Sequence, residues 1–302
     1  MLARKRKALL LRAVLLQCIR RYFIGQNFLE VETPLRIPAP APEEHIEAIP
    51  SGDWFLQTSP ELCMKRLLAA GYRRIFQICK CFRTGERGGR HLPEFTMLEW
   101  YAAGLDYEQL MDQCEEMIRA VARDLGMQEA IVWQRRQISL SSPWERISVR
   151  EAFEKYAPAT LPQALNGDNF DEILVEYIEP HLGVVRPTFL YDYPAPLGAL
   201  ARLKKTDPAV AERFELYIGG LELANGFSEL TDAGEQCRRF AAAQELRARK
   251  KYAAYPLPER FLAALDDLPS SAGIALGIDR LAMIFADAAR IDDILSFTPE
   301  DL

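Results

Sequence analysis

The segment FRTGERGGRHLPEFTMLEWY, Phe82 to Tyr101, constrains the fold more than any other part of the chain. The alternating run IFQICKCFR (Ile75 to Arg83) enters a basic, glycine-rich loop, and a second alternating run, FTMLEWY, leaves it. Two such runs with a glycine-bearing connection read as an antiparallel hairpin. Successive strand side chains point to opposite faces, so Phe95, Met97, Glu99 and Tyr101 share one face while Thr96, Leu98 and Trp100 share the other. A carboxylate set among apolar neighbours needs a partner. Arg83, Arg87, Arg90 and His91 cluster at the loop end of the same hairpin. The arrangement suits a pocket that holds polyphosphate at one end and a cationic small molecule at the other. The plainer alternative is a solvated loop with Glu99 as an edge charge.

Two further stretches carry chemistry. In ERFELYIGGLELANGFSELTD, Gly219-Gly220 suits a tight hairpin turn. That register sets Glu222 opposite Tyr217, with Glu215 its diagonal neighbour on the same face. Two carboxylates so placed repel unless a cation lies between them, and oxygen ligands of this kind suit Mg²⁺ bridging to a phosphate. Asn225 and Glu229 follow, with Gly226 allowing close approach. In GIALGIDRLAMIF a strand runs into a helix, with Gly277 at the junction and Arg280 in the first turn. A helix start favours anions and an arginine there offers a two-pronged grip on phosphate. Taken singly, these also read as an acidic solvent edge and an ordinary strand-to-helix joint.

The remaining sequence bounds the frame. With 302 residues and 49% apolar content the chain can bury a large core. Its net charge of -6 excludes nucleic-acid binding through an overall field, and no apolar run is long enough to span a bilayer. MLARKRKALLLRAVLLQCIRRYF reads as an amphipathic helix rather than an export signal, because Arg12 interrupts the apolar stretch and no cleavage site follows; a cytoplasmic protein is expected. Six scattered cysteines and three histidines give no zinc spacing, so reduced thiols on core faces are expected. FLEVETP (Phe28 to Pro34) and WFLQTS (Trp54 to Ser59) read as strands. PELCMKRLLAA (Pro60 to Ala70) reads as a helix with Ser59 as its cap. Helices are also expected over Tyr107 to Leu125, Phe170 to Ile178 and Ala233 to Tyr252, with a strand over Thr188 to Tyr193. Hairpin-joined strands with longer helical excursions indicate an α+β domain built on an antiparallel sheet.

In this order the motifs resemble the class II aminoacyl-tRNA synthetase catalytic domain, and its lysyl-tRNA synthetase branch. FLEVETP is similar to motif 1, FRTGERGGRHLPEFTMLEWY to motif 2 and GIALGIDR to motif 3, while SPELCMKRLL and ELANGFSELTD resemble lysine-type signatures. The resemblance covers the chain from about Phe28 to its end. It implies a class II synthetase-like antiparallel sheet flanked by helices, one catalytic domain over 1–302, and use of ATP with Mg²⁺. Carried over by motif, Arg83 would hold the α-phosphate, His91 and Arg280 the outer phosphates, and Phe95 would stack on adenine. Glu86, Leu223 and Gly277 would complete the nucleotide site, and Glu215 and Glu222 would bind Mg²⁺. Glu61 would take the amino group near the reacting carboxylate, with Ser59 beside it and Asn225 orienting the carboxylate. Glu99, Tyr101 and Glu229 would surround the distal ammonium. Two positions depart from the family pattern: Gly85 stands where motif 2 has an adenine-reading glutamate, and Leu92 where asparagine is usual.

A shorter branch fits better, the elongation factor P–lysine ligases. Only one helix precedes motif 1, with no room for the OB domain that grips an anticodon, so no anticodon recognition is expected. Ala275 stands where lysyl-tRNA synthetases have glycine and the ligases have alanine, a small steric change suited to β-lysine over lysine. The implied chemistry is attack of the amino acid's carboxylate on ATP, then transfer to a lysine of elongation factor P, catalysed by Arg83, Arg280 and Mg²⁺. The alternatives are a minimal lysyl-tRNA synthetase-like enzyme and an inactive paralogue with a regulatory role. Motif 1 implies a homodimer. Arg4 to Lys7 and Arg247 to Lys251 are candidate acceptor-docking charges, each also readable as a solvated face.

Overall fold

The computed structural model describes residues 2–127 and 129–302. The chain opens with helix α1 (Leu2–Gly25) and strand β1 (Leu29–Glu30). A small sheet follows, formed by β2 (Arg36–Ile37), β3 (Pro50–Ser51) and β4 (Trp54–Leu56). Helix α2 (Glu61–Ala69) leads to the hairpin of β5 (Arg74–Phe82) and β6 (Glu94–Ala103), then α3 (Tyr107–Asp124). The middle holds the hairpin β7 (Ala130–Trp133) and β8 (Arg136–Ser139), then β9 (Glu145–Ser148). Helices α4 (Val149–Tyr156), α5 (Leu161–Asn166) and α6 (Phe170–Ile173) precede β10 (Thr188–Pro194). Strands β11 (Leu203–Lys204), β12 (Asp207–Ile218) and β13 (Leu221–Ser228) lead to α7 (Ala233–Arg249) and α8 (Glu259–Leu262). The chain closes with β14 (Ser271–Gly277) and α9 (Ile278–Ala286).

The main sheet has the order β1-β5-β6-β14-β13-β12-β10-β9, with β11 added to β12. Only the outer pairs, β1 with β5 and β10 with β9, are parallel. The antiparallel sheet flanked by helices is therefore as expected, with a parallel strand at each edge. Sequence order and spatial order diverge because β14, last in the chain, inserts between β6 and β13 and makes the three motif-bearing segments neighbours.

One face of the sheet is closed by helices. Leu98, Trp100, Ile274, Leu276 and Phe214 pack into a core with Leu15, Ile19 and Phe23 of α1 and with α3 and α9. Phe23 sits 4.9 Å from the Phe76 ring centroid and 5.1 Å from that of Trp100. Helix α3 buries Leu110, Met111, Cys114, Met117, Ile118 and Val121, spacings of three and four that form one stripe. Its start is fixed by a reciprocal cap between Asp106 and Gln109, worth about 1 kcal/mol. On the opposite face α2, α7 and α8 pack Leu62, Met64, Phe240 and Phe261 around Tyr101 and Phe227, covering that face only in part.

Several expectations are corrected in detail. The Phe28 to Pro34 strand shortens to Leu29–Glu30, although pairing runs on through the Val31 amide to the Phe76 carbonyl at 2.9 Å. Helix α1 is not polar on its outward side: Leu10 and Ile24 are each 59% exposed. The predicted Phe170 to Ile178 helix changes after Ile173 into a wider π turn over Leu174–Ile178. The β7–β8 hairpin carries no glycine or asparagine, since Gln134 and Arg135 take positive φ of 48° and 66° at its turn. Cys237 is exposed rather than on a core face. Arg247 is not a solvated docking charge, because it is fully buried. By contrast Gly219 and Gly220 both take positive φ, 63° and 72°, as the expected tight turn requires, and Tyr217 pairs with Glu222.

One buried ion pair ties three elements together. Asp279 of α9 accepts from Arg12 Nη2 at 2.8 Å and from the Thr96 amide at 2.7 Å, and Arg12 also donates to Thr96 Oγ1 at 2.8 Å. The Asp279 side chain is only 2% exposed. Removing one partner of a buried pair strands the other charge. Arg12→Met is expected to lower unfolding free energy by about 3 kcal/mol, read as a fall in the urea midpoint with an unchanged slope.

Candidate active site

The partly open face of the sheet holds a cavity of about 900 Å³. Its floor is a row of residues in register across four strands, Glu99, Ala275, Asn225 and Glu215, which Gln77 of β5 continues beyond the cavity. Directly paired residues share a face, so these side chains project to the same side. At about 4.8 Å per strand step, Glu99 and Glu215 stand about 14 Å apart. The next row is Ile75, Tyr101, Gly273, Phe227 and Arg213. A bulge at Leu216/Tyr217 sets Glu215 opposite Asn225 while Tyr217 still faces Glu222. Gly226 is required beneath this row because a Cβ there would lie 2.6 Å from Phe214 Cζ.

One end of the cavity is cationic. Arg83, at the end of β5, holds its guanidinium 5.1 Å above the Phe95 ring and 3.6 Å from Glu86. Arg280, in the first turn of α9, donates to the Glu222 carbonyl at 2.7 Å and lies 3.3 Å from its carboxylate. It also contacts His91 Nε2. Partial desolvation first and the charge of Arg280 second hold His91 below its ordinary pKa, so at neutral pH it is an imidazole that accepts from the guanidinium. Leu223, Gly277 and Phe95 complete this wall. Of the two departures from the family pattern, Gly85 takes a positive φ of 78° at the loop turn. Leu92 is 3% exposed and belongs to the core beneath the loop, where an asparagine side chain would need a polar partner.

The other end is acidic. Glu99 is 1% exposed and accepts from Ser59 Oγ at 2.6 Å and from the Tyr101 hydroxyl at 2.7 Å. Burial raises its pKa to about 8, reinforced by the nearby Glu61 and opposed by the hydrogen bonds from Ser59 and Tyr101 and by Lys65. The N-cap position of α2 is Pro60 rather than the expected Ser59, but Ser59 Oγ accepts from the Glu61 amide at 3.0 Å, so one hydroxyl bonds the first helical residue and orients the carboxylate. Glu61 and Glu229 share one buried cation: Lys65 contacts Glu61 and lies 2.5 Å from Glu229 Oε2. Glu229 is fully buried behind the cavity wall, with Oε1 unpartnered against Gly273; burial raises its pKa against the pull of Lys65. Glu229 thus reaches the cavity less directly than the other expected residues, all of which line it.

Glu215 and Glu222 stand at the cationic end. Glu215 accepts from Arg213 Nη2 and from the Tyr217 hydroxyl, each at 2.7 Å. Its pKa is raised, first by burial and then by the charge of Glu222, a repulsion that a cation between them would relieve. Among the described residues no group of three or more Asp, Glu, His or Cys could hold a metal; the two carboxylates are oxygen donors of the kind a hard divalent cation takes. Sequence reading missed Arg213 and Lys65. Both had signals: Arg213 is two residues from Glu215 on the same strand face, and Lys65 is four residues after Glu61 on one helix face.

A motif-bearing antiparallel sheet, an arginine-rich hairpin and a strand-to-helix arginine facing one cavity define a synthetase-type catalytic domain. The chain belongs to the family described as tRNA synthetases class II (D, K and N), which matches residues 2–301. Among curated proteins it is 39% identical to the elongation factor P–(R)-β-lysine ligase of Pectobacterium carotovorum, over 97% of this chain and 95% of that protein. The proteins of the same name from Edwardsiella ictaluri and Proteus mirabilis are also 39% identical, each over 96% of this chain and 94% of the relative.

The Glu99 carboxyl has a pH consequence for the empty protein. Its folded-state pKa of about 8 lies above the usual carboxylate value, so the folded form binds more protons than the unfolded form between about pH 4.5 and 8. Stability contributed by the protonated group is therefore lost as pH rises through that window, at a limiting slope of about 1.4 kcal/mol per pH unit. Glu99→Gln is expected to flatten the fall in Tm between pH 6 and 9, measured by calorimetry without ligand.

Proposed function

We propose that this protein activates (R)-β-lysine or lysine with ATP as an aminoacyl-adenylate and transfers the acyl group to a lysine side chain of elongation factor P. The observation that carries this reading is the single cavity with guanidinium groups at one end and buried carboxyls at the other. The printed names of the relatives, spanning nearly the whole chain, support the choice of amino acid and acceptor.

In this reading the nucleotide lies at the cationic end. Arg83 grips the α-phosphate, His91 and Arg280 the outer phosphates, and Phe95 offers its ring to adenine once Arg83 turns to phosphate. Glu86, Leu223 and Gly277 border the nucleotide. Glu215 and Glu222 hold Mg²⁺, which when bound neutralises phosphate charge. The amino acid lies at the acidic end. Glu61 receives its amino group, Asn225 its carboxylate, and Glu99, Tyr101 and Glu229 the distal ammonium, with Ser59 fixing Glu99. Ala275, paired with Glu99 on one side and Asn225 on the other, sets a methyl group on the floor between the two ends of the amino acid.

The carboxylate of the amino acid attacks the α-phosphorus and pyrophosphate leaves. Fixed cations where charge develops, and two reactants held in one orientation, supply the acceleration without an enzyme nucleophile. The protein works as a homodimer in the cytoplasm in this reading. Leu10, Val14, Ile24 and Leu29, all well exposed along α1 and β1, support a partner surface there, and no described helix is long and apolar enough to cross a membrane.

Two measurements test the proposal. ATP–pyrophosphate exchange should depend on β-lysine or lysine, and labelled amino acid should pass to elongation factor P; transfer to tRNA alone would sink the reading. Glu99→Gln, which removes the charge opposite the distal ammonium, should raise the amino acid's KM about 100-fold, the scale of losing one partner of a buried charge pair.

A further inference from the structure

The second half of the proposed reaction raises a proton problem. A lysine side chain has a pKa near about 10.4, so at neutral pH the acceptor arrives as an ammonium that cannot attack a carbonyl. Most acidic groups facing the cavity are already engaged. Glu61 contacts Lys65, Glu99 accepts from Ser59 and Tyr101, and Glu215 accepts from Arg213 and Tyr217. Glu222 and Glu86 face Arg280 and Arg83, and Glu44 pairs with Lys250. Glu43 differs. It lines the cavity, yet among the described residues its carboxylate has no hydrogen bond or ion pair.

Its position is nonetheless fixed through the backbone. Arg247 of α7, fully buried, donates from Nη1 to the carbonyls of Glu43 and Ile46, each at 2.7 Å. The guanidinium is itself held 4.1 Å above the Tyr255 ring, and the Tyr255 hydroxyl accepts from the Ala48 amide at 2.7 Å. The charges acting on the Glu43 carboxyl come from four elements: Arg83 at the end of β5, Glu61 of α2, Arg213 of β12 and Arg247 of α7. Arg83 belongs to the phosphate end and Glu61 to the amino-acid end, and both line the same cavity as Glu43.

We propose that Glu43 takes the proton from the acceptor ammonium and so delivers the free amine to the adenylate, an inference that rests on the protein-acylation reading above. Burial, with Glu61 adding to it and Arg83 opposing, raises the Glu43 pKa to about 7, matched to proton transfer at neutral pH. The ionised carboxylate becomes a carboxylic acid as the ammonium becomes an amine. The amine nitrogen forms a bond to the acyl carbon and the bond from that carbon to the phosphate oxygen breaks. The remaining extra proton on nitrogen passes to the departing phosphate, AMP leaves as its monoanion, and Glu43 returns its proton to solvent.

The test compares two acceptors for one adenylate. Enzyme loaded with ATP and (R)-β-lysine is mixed in single turnover with saturating elongation factor P or with hydroxylamine, which is neutral at pH 7 and needs no base. In Glu43→Gln the ratio of protein transfer to hydroxamate formation should fall about 100-fold, the lower range for general-base catalysis. Transfer by that variant should climb about tenfold per pH unit above pH 7, following the free-amine fraction. Glu43→Asp, which keeps a carboxylate, should recover part of the ratio. An unchanged ratio, or a rise in acceptor KM with the saturating rate retained, would overturn the role. Wild-type enzyme that forms hydroxamate but never acylates elongation factor P would instead remove the acceptor, and the inference with it.

Discussion

A carboxyl group can remain inside this sheet only because the strands deliver its partners in register. Glu99 of β6 is flanked by Gln77 and Ala275 along its row, while Ser59 and Tyr101 donate to it from the start of α2 and from the same strand. Burial of an unpartnered acid would cost several kcal/mol. The two hydrogen bonds and the nearby Lys65 reduce that cost without removing it, which is why the Glu99 pKa stays raised, at about 8. The same row reaches Glu215, where Arg213 supplies the compensation instead. The cavity is therefore a graded electrical environment built on one pleated surface, and its polarity follows from which strand each charge occupies.

Lys65 completes that environment. One ammonium serves Glu61 and Glu229 together, so three acids gather at one end of the cavity against a single internal cation. Replacing this cluster by apolar groups would be easier on stability. The surplus of carboxyl groups makes sense as recognition chemistry, because a ligand carrying ammonium groups would supply the missing charge. Gly273 fits this crowding: a side chain there would collide with the Tyr101 ring and stand 2.6 Å from Glu229 Oε1.

The amino-acid sequence revealed the hairpins, the faces of their strands and the pairing of Tyr217 with Glu222, because strand alternation and the Gly219-Gly220 turn are local signals. It also revealed, through resemblance, which motifs converge. What it did not show depends on long-range assembly. The insertion of β14 between β6 and β13 has no local signature. The β7–β8 hairpin was silent because Gln134 and Arg135 take left-handed conformations that usually mark glycine or asparagine. The buried state of Arg247 was equally hidden, since a basic run at a helix end reads as solvated until a loop some 200 residues away in sequence folds over it. Lys65 was visible in principle through its spacing from Glu61, but only the fold brings Glu229 to the same ammonium.

Arg247 also has a mechanical meaning. The far wall of the cavity, from Glu43 to Ile46, has no strand to hold it, and its carbonyls hang from a single guanidinium at the end of α7. That helix end is in turn pinned to the Ala253 carbonyl and the Tyr255 ring. Geometry at the mouth is thus coupled to α7, which lines the same cavity: a displacement of its last turn would carry the Glu43 and Ile46 carbonyls with it.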